Sequence, residues 1–345
     1  MEKFRLVVGI DISKAYLSVC IVQSGKLCLE TQYPNNAQGL KALYHQLLQL
    51  EQDPGRILIC CEHTGVYVEK LSLAFGSGGF CLWIVNPLII KYAQVEIERL
   101  KTDRTDARKI AQFAELFQAK AQPYEPIKAV ERQIKDLFRL RKQLVKLRQQ
   151  VLNFASTNLD KALPCSLSKQ CFSQMKTYLS QLIKQIEKQL LSLVKSDPQI
   201  KRQHQILRSI PGIGPVTAWQ LIFTTQSFRK FDSHKQLAAH IGIAPYERSS
   251  GSSVRAKNRV SNKAYKPLKT NLTLGAIRHI QPNMFFDNYY QYMREHKNKE
   301  HLWIINSIRN MIVKLIFDLI KRDQLFDPQI FRKNKTSWQN HLTLS

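Results

Sequence analysis

Four carboxylates stand where the surrounding residues give them little reason to be ordinary surface charge. Asp11 ends the apolar run Val8-Gly9-Ile10-Asp11, Glu62 ends Ile59-Cys60-Cys61-Glu62, and Asp103 and Asp106 sit three apart at the start of a helix-like segment. Converging carboxylates repel one another unless divalent cations neutralise them. Mg²⁺, or Mn²⁺ in its place, prefers such oxygen ligands and keeps open positions for water and phosphate oxygens. Two such ions activate a nucleophile and stabilise a leaving oxygen in phosphoryl transfer. Blander roles stay open: Asp103 could charge a helix N-terminus beside Lys101 and Arg104, and Asp11 could sit in a turn. Glu62, at the end of a wholly apolar strand, is the hardest to explain that way.

A second group could supply a nucleophile. Pro245-Tyr246-Glu247-Arg248-Ser249-Ser250-Gly251-Ser252-Ser253 follows a helix-like stretch over Gln236–Ile241. Taken bare, a Ser/Gly run reads as a flexible loop. A serine that attacks phosphorus needs deprotonation and positive charge to stabilise the phosphorane, and Arg248, Arg255, Lys257 and Arg259 could supply the charge. No histidine lies nearby in sequence, so a metal or a distant carboxylate would have to take the proton. From Phe228 to Lys269 there are ten Lys/Arg against only Asp232 and Glu247, which marks this stretch, with Lys263 and Lys269, as the expected nucleic-acid surface. Upstream, Ile210-Pro211-Gly212-Ile213-Gly214-Pro215 has the form of a helix-hairpin-helix turn. Gly212 and Gly214 would let the backbone approach a phosphate at the N-terminus of the next helix; a plain interhelical turn is the alternative.

These groups need elements to hold them. Phe4–Ile10, Tyr16–Val22 and Leu27–Tyr33 read as a three-stranded meander, followed by a helix over Ala37–Gln49. A strand over Ile57–Cys61, a helix over Val66–Phe75, a strand over Phe80–Val85 and a helix over Asp103–Lys120 complete the order of an α/β RNase H-like (RuvC-like) domain. Val130–Asp160 and Phe172–Lys195 lack glycine and repeat apolar residues at three- and four-residue steps. They predict a long helical hairpin, with Pro164 in its turn, that could dimerise as a coiled coil. A mainly α region follows, ending in a helix over Leu302–Lys321 that is apolar on one face and basic on the other. The expected division is 1–125 for the carboxylate domain, 126–198 for the hairpin, 199–290 for the serine-bearing domain and 291–345 for a C-terminal helical region.

The 345 residues carry 52 Lys+Arg against 26 Asp+Glu, a formal net charge of +26, and 44% are hydrophobic. Composition thus excludes disordered and collagen-like classes, and the charge favours a polyanionic partner, nucleic acid before an acidic membrane surface. No apolar run is long and unbroken enough to span a membrane: Ile304–Ile320 is interrupted by Arg309 and Lys314. Without a secretory signal at the N-terminus, the expected location is cytoplasmic. Six of the seven cysteines lie in apolar sequence and no CxxC pair occurs, so buried, reduced thiols are expected and zinc is not.

Several motifs together resemble the IS110 family of insertion-sequence transposases, with the related Piv-type DNA invertases. They are Gly9-Ile10-Asp11, Glu62-His63-Thr64-Gly65-Val66-Tyr67, Asn86-Pro87, Lys101 through Ala107, Ile210 through Ala218, and Gly242-Ile243-Ala244-Pro245 followed by Ser250-Gly251. The resemblance implies a RuvC-like domain whose DEDD carboxylates are Asp11, Glu62, Asp103 and Asp106, holding Mg²⁺. It also implies a transposase domain whose Ser250 attacks DNA to form a covalent phosphoserine link, with Ser249 as the alternative if the register slips by one. Further implications are a composite active site, a homodimer or tetramer, and a structured non-coding RNA that pairs with donor and target DNA. Relatives usually carry Gly and Arg where this chain has Ala264 and Lys269, and lysine lacks the bidentate phosphate geometry of arginine. Three functions follow as expectations: a serine-and-metal DNA recombinase first, then a metal-only structure-selective nuclease, then a non-catalytic nucleic-acid-binding protein.

Overall fold

The computed structural model describes residues 4–63, 65, 67–76, 78–93, 103–160, 165–244, 246–250, 254–259 and 264–329, with backbone alone at 103–105, 159, 246–250 and 254–259. The chain forms two compact units, Met1–Pro126 and Ile127–Ser345.

The first unit is built on a five-stranded mixed sheet. Strands β1 (Leu6–Ile12), β2 (Tyr16–Gln23) and β3 (Lys26–Pro34) form an antiparallel meander, followed by helix α1 (Ala37–Leu50). Strand β4 (Ile57–Glu62), helix α2 (Val68–Phe75), strand β5 (Cys81–Val85) and helices α3 (Pro87–Ala93) and α4 (Asp103–Leu116) come next. The sheet order is β3-β2-β1-β4-β5, with β4 parallel to both β1 and β5. The central strands are buried on both faces, and that is why they read as apolar runs rather than alternating ones. Val8, Ile10, Ile12, Ile59 and Cys61 point into the core beneath α1 and α2. Val7, Leu58 and Cys60 face the opposite side, against Ile110, Phe113 and Ala114 of α4. Helix α3 was not among the expected elements; the Asn86 side chain receives the Leu88 amide at 3.0 Å and Pro87 occupies the first turn, which starts it.

In the second unit, α5 (Ala129–Leu159) and α6 (Ser166–Ser196) form a hairpin. Lys128 pairs with Asp197 at 3.2 Å and Arg141 with Glu187 at 2.7 Å, contacts that only an antiparallel pair allows. Five helices, α7 (Pro198–Ser209), α8 (Pro215–Thr225), α9 (His234–Ile241), α10 (Lys266–His279) and α11 (Asp287–Glu295), lead to the final α12 (His301–Arg322). Between α9 and α10 lies a separate antiparallel ribbon of β6 (Tyr246–Ser250) and β7 (Val254–Arg259). Ser249 and Ser250, which bare composition reads as part of a loop, therefore end the first strand of this ribbon. Ile134, Phe138, Leu190 and Val194, at the base of the helical hairpin, share one core with Leu207, Trp219, Leu237, Leu272 and Ile308.

A buried charge cluster ties that base down. Glu131 is fully buried in the first turn of α5. It accepts from both Arg229 terminal nitrogens, at 3.1 and 3.0 Å, from the Ser227 hydroxyl, and from the Lys128 amide. The cysteine expectation needs correcting. Cys20, Cys60, Cys61 and Cys81 are buried, but Cys28, Cys165 and Cys171 are exposed because they lie on outward positions of β3 and the hairpin. Among the described residues, no helix is long and apolar enough to cross a membrane.

Candidate active site

The sheet register brings Asp11 and Glu62 together. Gly9 pairs with Cys60 and Ile10 with Cys61 in the parallel β1–β4 ladder, so Asp11 and Glu62 stand one residue beyond the last registered pair. Parallel neighbours lie about 4.8 Å apart, and residues at matched positions share a face. That face is the α4 side, because Ile10 and Cys61 point the other way. Both carboxylates are partly buried at the carboxyl ends of their strands.

Helix α4 is aimed at the same place. Ala107 and Ala111 lie directly on Gly9, and Glu115, near the helix C-terminus, accepts the Gly25 amide in the β2–β3 turn at 2.6 Å. Arg108 forks onto Glu30 of β3 at 2.7 and 3.0 Å. The helix therefore runs antiparallel to β1 and starts, with Asp103, Arg104 and Asp106, at the end of the sheet where Asp11 and Glu62 emerge. Gly9 makes this possible. A Cβ there would stand 2.3 Å from the Ala107 carbonyl oxygen and 2.3 Å from the Ala111 nitrogen, so any side chain would push the helix off the sheet. The sequence reading used Gly9 only as part of a motif; a lone glycine in an otherwise fully buried strand was the available signal.

The donor set suits a hard cation. Burial, with added repulsion from the neighbouring Glu62 carboxylate, pushes the Cys60 and Cys61 thiols well above their usual range, and burial with Glu30 pushes Cys20 up to about 11. These thiols stay protonated and do not compete as soft ligands. Asp106 pairs with Lys109 at 3.8 Å across one helical turn. Among the described side chains, no three His, Cys, Asp or Glu residues lie close enough to share one ion. The Asp103 and Arg104 side chains and all of Lys101 lie outside the described residues.

Ser250 is placed by its backbone alone, opposite Val254, with Ser249 opposite Arg255 and Arg248 opposite Ala256. Lys257 and Arg259 follow on β7, with Arg259 opposite Tyr246. Lys263 lies outside the described residues. The hairpin is rooted in the turn Gly242–Ala244, and this turn is firmly held. Lys269 Nζ donates to the Gly242 carbonyl at 2.8 Å, and the Asn306 and Asn310 amides donate to the Ile243 carbonyl at 2.9 and 3.1 Å. The sequence reading missed Asn306 and Asn310, since nothing in α12 marks them as partners of residues about 60 positions away. Arg309, which interrupts the apolar run of this helix, is only 7% exposed.

The Pro211–Gly214 turn joins α7 to α8. Gly212 adopts φ +77°, and a Cβ on it would meet the Gly275 carbonyl of α10 at 3.0 Å and the His279 ring at 3.2 Å. His279 Nε2 donates to the Pro211 carbonyl at 2.7 Å. Gly212 thus has a packing reason to be glycine. Gly214 N-caps α8 and has open space where a side chain would stand, leaving the helix N-terminus approachable.

A mixed sheet that delivers carboxylates to one end, joined to a helical unit presenting a serine hairpin, defines a class of two-part proteins whose sequence can be compared as a whole. The model described as DEDD_Tnp_IS110 transposase matches residues 8–164, and that of the transposase IS116/IS110/IS902 family matches residues 204–291. The pilin gene-inverting protein of Moraxella bovis is 26% identical over 335 residues, covering 94% of this chain and 98% of that protein. The transposase for insertion sequence element IS1111A of Coxiella burnetii is 26% identical over 306 residues, covering 80% of this chain and 79% of its own. The chain belongs to the IS110 family of transposases.

Proposed function

We propose that the protein is a DNA recombinase that cuts and rejoins DNA through Ser250, aided by Mg²⁺ at Asp11, Glu62, Asp103 and Asp106. The observation that carries the reading is the matched position of Asp11 and Glu62 on one face of the sheet, with the first turn of α4 directed to that end. The order β3-β2-β1-β4-β5 with an antiparallel meander supports an RNase H-like assignment for the first unit. Mg²⁺ held by these carboxylates would supply charge neutralisation at the phosphodiester.

Ser250 Oγ, on losing its proton, forms a bond to phosphorus as the bond from phosphorus to a deoxyribose oxygen breaks. That oxygen leaves and is protonated. Attack by a deoxyribose hydroxyl of a second strand reverses the exchange, joins the new strand and returns the serine. Basic residues along the hairpin, Arg248, Arg255, Lys257 and Arg259, fit the task of stabilising the added phosphorane charge. The open α8 N-terminus at Gly214 fits a backbone-phosphate contact of helix-hairpin-helix type. A structured guide RNA and a homodimer or tetramer joined through the α5–α6 coiled coil complete the reading. Leu140, Leu147 and Phe154 support the last point: they are exposed on α5 at seven-residue spacing. Similarity to a gene-inverting protein over nearly the whole chain favours inversion as the second reading of the same chemistry.

The test is a search for the covalent intermediate. The protein is expressed with its native flanking DNA and Mg²⁺, denatured quickly, digested with protease and nuclease, and examined by mass spectrometry. A nucleotide on Ser250, absent from Ser250→Ala, is the expected result. Nicked DNA without any adduct, still dependent on Asp11, would establish a metal-only nuclease instead.

A further inference from the structure

Arg309 is a buried charge. It sits in the middle of α12 with 7% of its surface exposed, and no carboxylate among the described residues lies within ion-pair distance of it. Among the described residues, it donates from one terminal nitrogen to the Thr273 hydroxyl of α10 at 3.1 Å, and its Nε has no partner. Thr273 in turn donates to the Lys269 carbonyl at 2.8 Å. Lys269 lies one turn before Thr273 on the same face of α10. Burial, then the nearby Arg309 and Lys266, push the Lys269 ammonium below its usual range, and burial does the same to Arg309. Folding therefore brings two cations together and takes water from both, and no carboxylate among the described residues offsets either charge. A protein interior tolerates that arrangement poorly unless something outside completes it.

Position indicates what completes it. The pair adjoins the Gly242–Ala244 turn, whose carbonyls are already engaged by Lys269, Asn306 and Asn310, and that turn leads into the strand bearing Ser250. An arginine and a lysine near one another, with the Thr273 hydroxyl beside the guanidinium, match a phosphodiester: the guanidinium fork takes one or two oxygens and the ammonium acts as a point charge.

We propose that Arg309, Lys269 and Thr273 form a seat for a backbone phosphate of the DNA strand at the root of the serine hairpin. The inference rests on the DNA-acting reading above and adds Arg309 to it as a positioning residue. The seat would fix the strand relative to Ser250 by a contact to phosphate rather than to bases, so it carries no sequence preference.

The test uses the full-length protein, a random-sequence DNA duplex and an RNA duplex of the same sequence, with binding followed by fluorescence anisotropy across a salt series. Arg309→Met and Lys269→Met are each expected to weaken DNA binding about tenfold and to reduce the slope of log affinity against log salt by about one. Arg309→Met is also expected to melt no lower than the parent without DNA, because it removes a dehydrated, unpaired charge. Should Arg309→Met fail to fold, Arg309→Lys and Lys269→Met carry the test, with the lysine variant keeping part of the affinity. Unchanged DNA affinity and slope in the variants, with the parent binding normally, overturns the seat while leaving the DNA-acting reading intact. A loss confined to the RNA duplex overturns it as a DNA site. A parent that binds no DNA overturns both.

Discussion

The carboxylates and the serine are held by two different kinds of scaffold. Asp11 and Glu62 continue strands in the middle of a five-stranded sheet, with helices packed on both faces and a register fixed residue by residue. Ser250 belongs to a two-stranded ribbon outside that sheet, and such a ribbon alone is marginal in water. Its position depends on a turn held by Lys269, Asn306 and Asn310, reaching in from two other helices. The metal site proposed above would need ligands fixed closely in position, and a sheet with a defined register suits that. On the proposed reading, a serine that meets one strand and then exchanges it for another stands on a ribbon whose root is held by described contacts.

Several outcomes break or sharpen this comparison. Asp11→Ala and Ser250→Ala are each expected to reduce strand exchange by about a thousandfold or more, because each removes a group with no substitute. A plasmid recombination assay measures this, and only Ser250→Ala should also abolish the covalent adduct. Next comes Gly9→Ala, which pits a methyl group against the α4 backbone and is expected to cost about 4 kcal/mol, read by denaturant unfolding of the first unit. Glu131→Ala leaves the partly buried Arg229 and the buried Ser227 hydroxyl without their acceptor and should cost the second unit about 3 kcal/mol.

The smallest effect separates the units by pH. Burial, aided by Arg208 and Lys230 respectively, lowers His204 and His240 to about 4, and burial lowers His279 against the pull of its Pro211 hydrogen bond. The unfolded chain takes up protons near pH 6.5 while the folded one refuses them, so this stability is complete above that pH and is lost as pH falls toward 4. Since His204 and His240 keep some exposure, the loss should be about 1 kcal/mol, a drop of a few degrees in the melting of the helical unit between pH 7 and pH 5.

Much of this architecture was legible in the sequence because its signals are local. The apolar runs of β1, β4 and β5 and the three- and four-residue steps of α5 and α6 fixed the element order and set Asp11 and Glu62 at strand ends. What stayed hidden depends on contacts between distant segments. Gly9 is glycine because of Ala107 and Ala111, nearly a hundred residues on, and no periodicity encodes that. The serine run pairs with Val254–Arg259, yet its composition argues only for a loop. Glu131 and Arg309 look like solvated charges on basic helices, because sequence shows the helix and not which turn of it is buried.

Glu131 has a mechanical consequence. A helix of 31 residues at about 1.5 Å per residue is about 46 Å long, and α5 is fastened at its base by Glu131 and by Ile134 and Phe138 in the core. A tilt of about 5° about that fulcrum carries the far end about 4 Å, close to the spacing of adjacent strands. The hairpin is thus a lever whose short arm is the base of α5, held by Glu131 and by Ile134 and Phe138 in the core, and displacements too small to disturb that core reach the tip as a change of a whole side chain's width.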